Sequence, residues 1–366
     1  MWSFLKLFFE QRTGSKIIPI DGLKGLEKSD AIFHNLIVEN HIPGVSVTIL
    51  QEGKVILQKG YGHANIESKT NIDPKKTLFR IASISKCITG LAFGKMVEEG
   101  LLHWDDSLFK YVPEYPQKRF DFTLRQLANH TAGIRGYRGK EFALNQHYSI
   151  QDSLKVFRNE PLQFEPGKGY LYNSFDFVLL SLAMERAAGT SFETYVQEKV
   201  LLPLGMHNTF PERISTNSEE ELSERIRSDG TFTKSTNYTK SISGFRKAVP
   251  VNNFYKLAGG GYLSTSADIA NMGKALLQQE LLDKKTYQEI LFNYPVKNHP
   301  TYYGLGFQVS QDALGRPYVG HVGSSVGAYT NFYVYPKQGI VFSILINCTD
   351  PKVQADLDTA IQAVCG

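Results

Sequence analysis

The alternation of apolar and polar residues predicts β-strands at both ends of the chain. Near the N-terminus, the segments "GVSVTIL" and "KVILQKGYG" are rich in β-branched residues, and Gly53 in the intervening "QEGK" suits a tight hairpin turn. A similar pattern returns after residue 300 in "YYGLGFQVS", "PYVGHVG", "AYTNFYVYP" and "GIVFSILIN". We therefore expect one sheet that is built from N-terminal and C-terminal segments.

The middle of the chain follows a helical period instead. From Ser83 to about Gly205 apolar residues recur at helical spacing, and a last amphipathic helix is expected from about Pro351. The sequence also carries signals for helix ends, namely two glycines, a capping-box pair and capping serines: Gly100, Gly189, Thr123 with Gln126, Ser149, and either Ser264 or Ser266. The whole pattern predicts an α+β fold, with an antiparallel sheet flanked by helices and an inserted helical domain.

This organisation divides the chain into three parts. We expect an N-terminal leader over 1–26, a discontinuous sheet-containing domain over 27–82 and 250–366, and a helical domain over 83–249. Within the helical domain, 212–249 is polar and is interpreted as a surface excursion that contributes to the walls of a site. A functional site is expected where the sheet and the helical domain meet.

Composition narrows the possible partners. The chain has 366 residues and a formal net charge of +4, and its basic residues are scattered, which argues against a nucleic-acid binder. The three cysteines lack metal-site or disulfide-framework spacing, so we expect free thiols and neither a metal nor another cofactor. The N-terminal run "MWSFLKLFFEQRTGSK" has no cleavage signal and is too short to span a membrane, which favours a cytoplasmic location, although a weak membrane-surface contact stays open. The sequence leaves the oligomeric state open.

The candidate chemistry begins in "FRIASISKCITG", where Ser83 precedes Lys86 by three positions. The bare S-x-x-K pattern is weak, because Ser3 with Lys6 and Ser107 with Lys110 also match it. Ser83 differs in lying where a β-like segment gives way to an apolar helix, so that both side chains share one helix face near free backbone N–H groups. The pair is either a nucleophile with its base or a capping serine with an ordinary lysine.

Two further segments carry a family resemblance. "PGKGYLYNSFDFVLL" places Tyr172 before another apolar helix, and "GHVGSSVGAY" places His321 and Gly323 on a late strand. With these motifs in this order, the chain resembles the serine β-lactamase and penicillin-binding-protein superfamily, in the branch of class C β-lactamases, D-Ala-D-Ala peptidases, family esterases and mitochondrial β-lactamase-like proteases. The likeness extends to "TLRQLANHTAGI" and "AGGGYLSTSADIA" and runs from about residue 27 to 350.

The resemblance implies a β-lactamase/transpeptidase-like fold and a serine hydrolase that acts on an amide or ester through an acyl-enzyme. It implies the roles of nucleophile for Ser83, of proton acceptor for Lys86 and of proton relay for Tyr172, whose pKa a cationic Lys86 would lower. The backbone N–H groups of Ser83 and Ser324 would form the oxyanion hole. His321, Gly323 and Ser174 would line the substrate site, which takes a small molecule or a short peptide.

Two positions depart from the family pattern. Ser174 stands where the tyrosine motif usually ends in Asn, and it offers a hydroxyl instead of an amide or serves only as a helix cap. His321 replaces the lysine of K-T-G, which argues against a specialised β-lactamase. If His321 binds a β-lactam carboxylate as a cation, acylation by penicillins should rise from pH 7.5 to 6. The literal Y-x-N at Tyr329 to Asn331 follows the late strand and is interpreted as accidental.

Two other interpretations remain open from the sequence. "GSSVG" at 323–327 matches the G-x-S-x-G nucleophile elbow of α/β-hydrolases with Ser325 as nucleophile, but no histidine follows His321 to complete that triad order. The non-enzyme interpretation is a binding module that keeps the penicillin-recognition fold without turnover. The sequence does not distinguish β-lactamase, peptidase and esterase activities.

Overall fold

A computed structural model describes residues 16–212 and 232–366. Its first element is a helix, α1 (Gly25–Val38), which overlaps the end of the expected leader and precedes the first strand. We did not predict this helix, although the apolar residues Ile32, Phe33 and Leu36 lie at helical spacing. Phe33 and Leu36 become buried against the sheet, so tertiary packing stabilises it.

The remaining helices lie mostly in the middle of the chain. They are α2 (Ser85–Glu98), α3 (Leu108–Tyr111), α4 (Leu124–Ala128), α5 (Ile150–Ser153), α6 (Phe175–Ala188), α7 (Phe192–Val196), α8 (Leu257–Gly260), α9 (Ser266–Gln278), α10 (Lys284–Ile290) and α11 (Gln354–Cys365). The strands are β1 (Gly44–Gln51), β2 (Lys54–Asn65), β3 (Thr70–Asn71), β4 (Thr77–Arg80), β5 (Phe210–Pro211), β6 (Thr233–Lys234), β7 (Tyr238–Ser241), β8 (Gly244–Lys247), β9 (Tyr262–Ser264), β10 (Pro295–Val296), β11 (His299–Pro300), β12 (Gln308–Gln311), β13 (Pro317–Ser325), β14 (Ala328–Tyr335), β15 (Ile340–Ile346) and β16 (Cys348–Thr349).

A central sheet joins the two ends of the chain, as the sequence predicts. In the described part of the chain it has seven strands in the order β12-β13-β14-β15-β1-β2-β3, with antiparallel pairing between neighbours. The N-terminal strand β1 pairs with the C-terminal strand β15, and Gly53 (φ 73°) closes the β1–β2 hairpin. The fold is thus α+β, with an antiparallel sheet and flanking helices.

Helices cover both faces of this sheet. On one face, α1 and α11 pack against apolar residues of β1 and β15, with Phe33 and Leu357 fully buried. On the other face, α9 packs against β14 and β15, and α2 and α6 extend this second core. The face that carries α2 is where the candidate site forms.

Most of the expected helix ends are confirmed. Thr123 and Gln126 form a reciprocal capping box, the hydroxyl of Ser149 accepts from Asp152 N, and Gly189 ends α6 with φ 65°. The cap of α9 was predicted wrongly at Ser264 or Ser266. Thr265 caps it instead by accepting from Asp268 N.

A small second sheet connects the candidate site to the polar excursion. Strand β4, which leads to Ser83, pairs with β9 and β6, and β9 also pairs with β5. Of the excursion expected over 212–249, residues 213–231 lie outside the described residues. The part after them forms β6 and the β7–β8 hairpin, and β7 pairs in parallel with β16.

A buried ion pair holds this second sheet together. Arg80 Nε donates to Glu212 at 2.7 Å, and Lys234 Nζ lies 3.1 Å from the same carboxylate. Burial acts to raise the pKa of Glu212, but the charges of Arg80 and Lys234 hold it below its usual range. Arg80 also donates to the carbonyl of Val326 at 2.7 Å and so joins β4 to the β13–β14 hairpin.

No helix in the described ranges is long and apolar enough to cross a membrane. The expected N-terminal leader is described only from residue 16 onward, so its predicted surface contact stays a prediction.

We predict that Arg80→Met lowers the free energy of unfolding by about 3 kcal/mol, because it leaves Glu212 buried without its principal partner. Chemical denaturation monitored by circular dichroism measures this change. The matched control is Arg138→Met, which removes an exposed pair with Glu160 and should cost less than about 1 kcal/mol. Equal losses in the two variants would contradict the structural role of the buried pair.

Candidate active site

Ser83 lies on a strained turn between β4 and α2. The strand ends at Arg80, and Ala82 adopts a positive φ of 47°, which is costly for a residue with a side chain. A 3₁₀ turn over Ala82–Ile84 then leads into α2. Because Ser83 belongs to the first turn, its backbone N–H has no acceptor within the helix.

Contacts from three segments hold this turn. Ser85 Oγ donates to Ala82 O at 2.7 Å, Thr330 Oγ1 donates to Ile81 O at 3.0 Å, and Ile81 N donates to Tyr262 O at 3.1 Å. Strand β13 also packs directly against the turn at Gly323. A Cβ atom there would lie 2.7 Å from Ile81 O and 3.0 Å from Ala82 Cβ, so only glycine fits without a shift.

Lys86 lies on the first turns of α2 and is fully buried. Its Nζ atom is 3.2 Å from Ser83 Oγ and donates to the carbonyl of Gly259 at 2.7 Å. Within the described ranges, no carboxylate lies within ion-pair distance of this ammonium. Burial, assisted by the charge of Lys256, lowers the pKa of Lys86 to about 7. A large fraction of Lys86 is therefore a neutral amine at physiological pH.

Tyr172 approaches the same hydroxyl from the loop before α6. Its phenol donates to Ser83 Oγ at 2.8 Å, and its ring lies 4.8 Å from Lys86 Nζ. The expectation that Lys86 lowers the pKa of Tyr172 is wrong. Although the residue exposes 39% of its surface, burial of the phenol raises its pKa above the usual range, and the hydrogen bond with Ser83 offsets this only in part. Tyr172 is therefore a proton donor in the resting site.

A buried polar cluster supports Tyr172 from behind. The His130 ring lies 4.6 Å from the Tyr172 ring, and His130 Nδ1 is 2.8 Å from Asp176 Oδ2. Asn173 Nδ2 donates to the same carboxyl at 2.7 Å. Burial lowers the pKa of His130 and raises the pKa of Asp176, each far from its ordinary value, so both directions favour the uncharged forms.

His321 is buried on β13, and its expected contact with substrate stays a prediction. It is 1% exposed, its Nδ1 lies 2.6 Å from Val322 O, and Tyr303 OH lies 2.9 Å from its Nε2. Burial, together with the charge of Lys86, lowers the pKa of His321 to about 3. The conditional prediction that a cationic His321 binds a carboxylate between pH 7.5 and 6 therefore finds no support, because the ring is neutral there.

Ser324 lies on the edge of β13 beside the nucleophile turn. Strand β12 pairs with β13 only from Pro317 to Gly320. Beyond this pairing, the N–H of Val322 points to the same edge of β13 and donates to the Gln308 side chain at 3.0 Å. N–H groups two residues apart in an antiparallel strand point to the same edge. The N–H of Ser324 thus points along this edge, one residue beyond the Gly323 contact with the Ser83 turn.

Ser174 lies near the site without a specific bond to it. If Gly259 carried a Cβ atom, that atom would lie 3.4 Å from the Cβ of Ser174. Ser174 is therefore a neighbour of the residue whose carbonyl binds Lys86. As the N-cap of α6 it makes no side-chain capping bond, and Asn173 Oδ1 accepts from Asp176 N instead. Its expected contact with substrate stays a prediction.

The competing motifs have structural roles in this fold. Ser107 caps α3, and Lys110 pairs with Asp106, whereas Ser3 and Lys6 lie outside the described residues. Ser325 pairs with Ala328 at the end of the β13–β14 hairpin, so "GSSVG" forms a hairpin and not a strand-to-helix elbow. The α/β-hydrolase interpretation is therefore wrong.

Known proteins resemble most of the chain. The profile of the Beta-lactamase family matches residues 29–365. The chain is 26% identical over 434 residues to the mitochondrial serine beta-lactamase-like protein LACTB of Homo sapiens, covering 88% of this chain and 77% of LACTB. Among solved structures it is similar to an octameric penicillin-binding protein homologue from Pyrococcus abyssi, with a TM-score of 0.77, 25% identity, and coverage of 92% of this chain and 76% of that one.

A third similarity concerns an amidase. The D-amino acid amidase of Ochrobactrum anthropi aligns with a TM-score of 0.75 and 18% identity over 92% of this chain and 98% of the amidase. This likeness shows a shared fold. The profile match over residues 29–365 means that the chain belongs to the Beta-lactamase family, and its structure has the β-lactamase/transpeptidase fold.

Several residues around the site were not singled out from the sequence. They are Gly259, whose carbonyl binds Lys86, Tyr303, which bonds His321, and the cluster of His130 with Asp176. Both His130 and Gly259 fall in segments that already resembled the family, "TLRQLANHTAGI" and "AGGGYLSTSADIA". Tyr303 carries no comparable signal.

We predict that Gly323→Ala slows reaction of Ser83 with a fluorophosphonate at least tenfold, because the added Cβ displaces the turn at Ile81 and Ala82. Intact-mass kinetics measures the rate, and thermal unfolding checks that the protein stays folded. The control is Gly136→Ala, whose Cβ meets its nearest neighbour at 3.9 Å and should leave the rate unchanged. A normal rate in the Gly323 variant would show that this contact does not fix the nucleophile.

Proposed function

We propose that the protein is a serine hydrolase that cleaves small esters or short amides through an acyl-enzyme on Ser83. The observation that carries this proposal is the convergence of Lys86 Nζ, at 3.2 Å, and Tyr172 OH, at 2.8 Å, on the hydroxyl of Ser83. A nucleophile with a base and a second proton-transfer group within reach is the arrangement that covalent catalysis needs. Membership of the Beta-lactamase family supports the same chemistry.

In the proposed acylation step, neutral Lys86 accepts the proton of Ser83 as Oγ attacks the substrate carbonyl. The tetrahedral oxyanion binds the N–H groups of Ser83 and Ser324. The leaving amine or alcohol takes its proton from Tyr172, which Lys86 then reprotonates. Water hydrolyses the ester on Ser83 and restores the free hydroxyl, with the same groups acting in reverse order.

The charges around Ser83 suit this chemistry. The two buried histidines, His130 and His321, stay neutral, and Asp176 is driven toward its neutral form. Lys256, which is 6% exposed, donates to the carbonyl of Phe142 at 3.0 Å and adds its positive charge to that of Lys86. Positive charge from Lys86 and Lys256 near Ser83 favours the developing oxyanion.

The proposed substrate class follows from the neutral state of His321. A lysine at this position would offer a permanent charge to a substrate carboxylate, whereas buried, neutral His321 does not. Loss of one charge-assisted hydrogen bond typically costs about 1.5 to 3 kcal/mol, or roughly ten- to a hundredfold in acylation. We therefore propose that penicillins acylate Ser83 slowly and that activated esters or short peptides are better substrates.

We predict that Ser83→Ala abolishes both turnover of an activated ester and covalent labelling by a fluorophosphonate. Intact-mass analysis of the folded protein measures labelling, and a chromogenic ester measures turnover. Ser325→Ala, in the nearby hairpin, is the matched control and should keep both activities. An active Ser83 variant beside an inactive Ser325 variant would refute the assignment, and wild-type protein that takes no label would favour the binding module.

We predict that kcat/KM falls about tenfold per unit below pH 7, because Lys86 with a pKa of about 7 must be neutral to accept a proton. Lys86→Met and Tyr172→Phe should each lower kcat by about a hundredfold or more. Removing a neighbouring positive charge raises the pKa of a lysine, so Lys256→Met should move the acidic limb to higher pH. The pH profile of a neutral ester between pH 5 and 9 measures these effects.

Two controls accompany the profile. The ratio of penicillin acylation to ester acylation should stay constant from pH 7.5 to 6, because His321 is neutral throughout that range. A ratio that rises on acidification would mean that His321 binds the carboxylate as a cation. A profile without an acidic limb near pH 7 would mean that Lys86 is not the base.

A further inference from the structure

The strands β13 and β14 carry a second concave surface on the face opposite to Ser83. Alternation along β13 turns His321 and Gly323 toward the Ser83 turn and turns Tyr318 and Val322 the other way. On β14 the residues of this second face are Tyr329, Asn331, Tyr333 and Tyr335. The literal Y-x-N of the sequence therefore lies on this face and is unrelated to the candidate active site.

A cleft of about 350 Å³ lies between the strands of this face and helix α11. Tyr318 meets the ring of Tyr333 edge to face at 4.8 Å, and the ring of Tyr335 lies 5.8 Å from Tyr318.

Helix α11 turns a polar stripe toward these rings. Gln354, Asp358 and Gln362 are spaced by four residues and line the cleft. Tyr329 OH donates to Gln354 Oε1 at 2.7 Å, and Gln354 Nε2 donates to Asp358 Oδ1 at 2.7 Å. Asp358 is exposed at the mouth, and in the described ranges no lysine or arginine pairs with it.

The other charges of the cleft cancel. Asp312 accepts from Arg316 Nε at 2.7 Å, and both side chains are nearly buried. Asp358 thus leaves one uncompensated negative charge beside the tyrosine rings. An electron-rich aromatic surface with a nearby carboxylate attracts an organic cation by both cation–π and Coulomb forces.

We propose that this cleft binds a small organic ammonium ion. The cationic head packs against the rings of Tyr318 and Tyr329 beside Asp358. This site is separate from Ser83, so it does not depend on the proposed hydrolase activity.

Calorimetric titration of the full chain with choline tests the proposal, with 3,3-dimethyl-1-butanol as the neutral isostere. We expect choline to bind with a dissociation constant on the order of millimolar, and the isostere to bind at least about tenfold more weakly. Asp358→Asn and Tyr318→Leu should each weaken choline binding about fivefold or more, whereas Tyr318→Phe keeps an aromatic ring and should change it less than about twofold.

The matched control for charge is Asp356→Asn, because Asp356 is exposed on the same helix and does not line the cleft. It should leave choline binding unchanged. Three outcomes would overturn the proposal: no binding at tens of millimolar, equal binding of choline and its isostere, or binding that neither Asp358→Asn nor Tyr318→Leu weakens. Asp358 is exposed, so its variant stays informative even if the Tyr318 variants do not fold.

Discussion

The burial of Lys86 without a carboxylate partner is the constraint on which the candidate site depends. A buried ammonium costs free energy that only hydrogen bonds and nearby π-systems can offset. Here the carbonyl of Gly259, the hydroxyl of Ser83 and the rings of Tyr172 and Phe177 provide those contacts. None of them is a negative charge, so the proton on Lys86 is held weakly. A carboxylate at the position of Gly259 would stabilise the ammonium and remove the base.

The same constraint explains the state of the surrounding histidines. A second cation next to Lys86 would be unfavourable, and His130 and His321 are both neutral in this environment. The hydrogen-bond partners of both histidines match the neutral form. His321 is hydrogen-bonded to the hydroxyl of Tyr303, and His130 to the carboxyl of Asp176, whose raised pKa favours its protonated form. The polar groups around Ser83 therefore order the site without adding charge. Among the described groups that shift the pKa of Lys86, Lys256 is the one that adds a further positive charge.

Some features of the fold and site can be predicted from local sequence patterns, whereas others depend on tertiary contacts. The strands of the central sheet, the capping box at Thr123 and the convergence of Ser83, Lys86 and Tyr172 follow from periodicity and ordered motifs. The raised pKa of Tyr172 and the lowered pKa of His321 could not be predicted, because burial by distant segments sets both. Gly259 lies 173 positions from Lys86 in the sequence, and its carbonyl carries no residue-type signal at all. Helix α1 is a different case, because Ile32, Phe33 and Leu36 do recur at helical spacing and the helix could have been predicted from them.

Strands β13 and β14 show how one pair of strands serves two surfaces. Because side chains alternate, one face approaches the Ser83 turn at Gly323, whereas the opposite face carries Tyr318 and Val322 of the aromatic cleft. Gly323 and Gly320 of β13 are each required by a close backbone approach, to Ile81 O and to Phe332 O respectively. A side chain at either position would have to displace a backbone segment. The pairing register of β13 with β14 therefore positions the candidate active site and the aromatic cleft together, and a slip of one residue would destroy both.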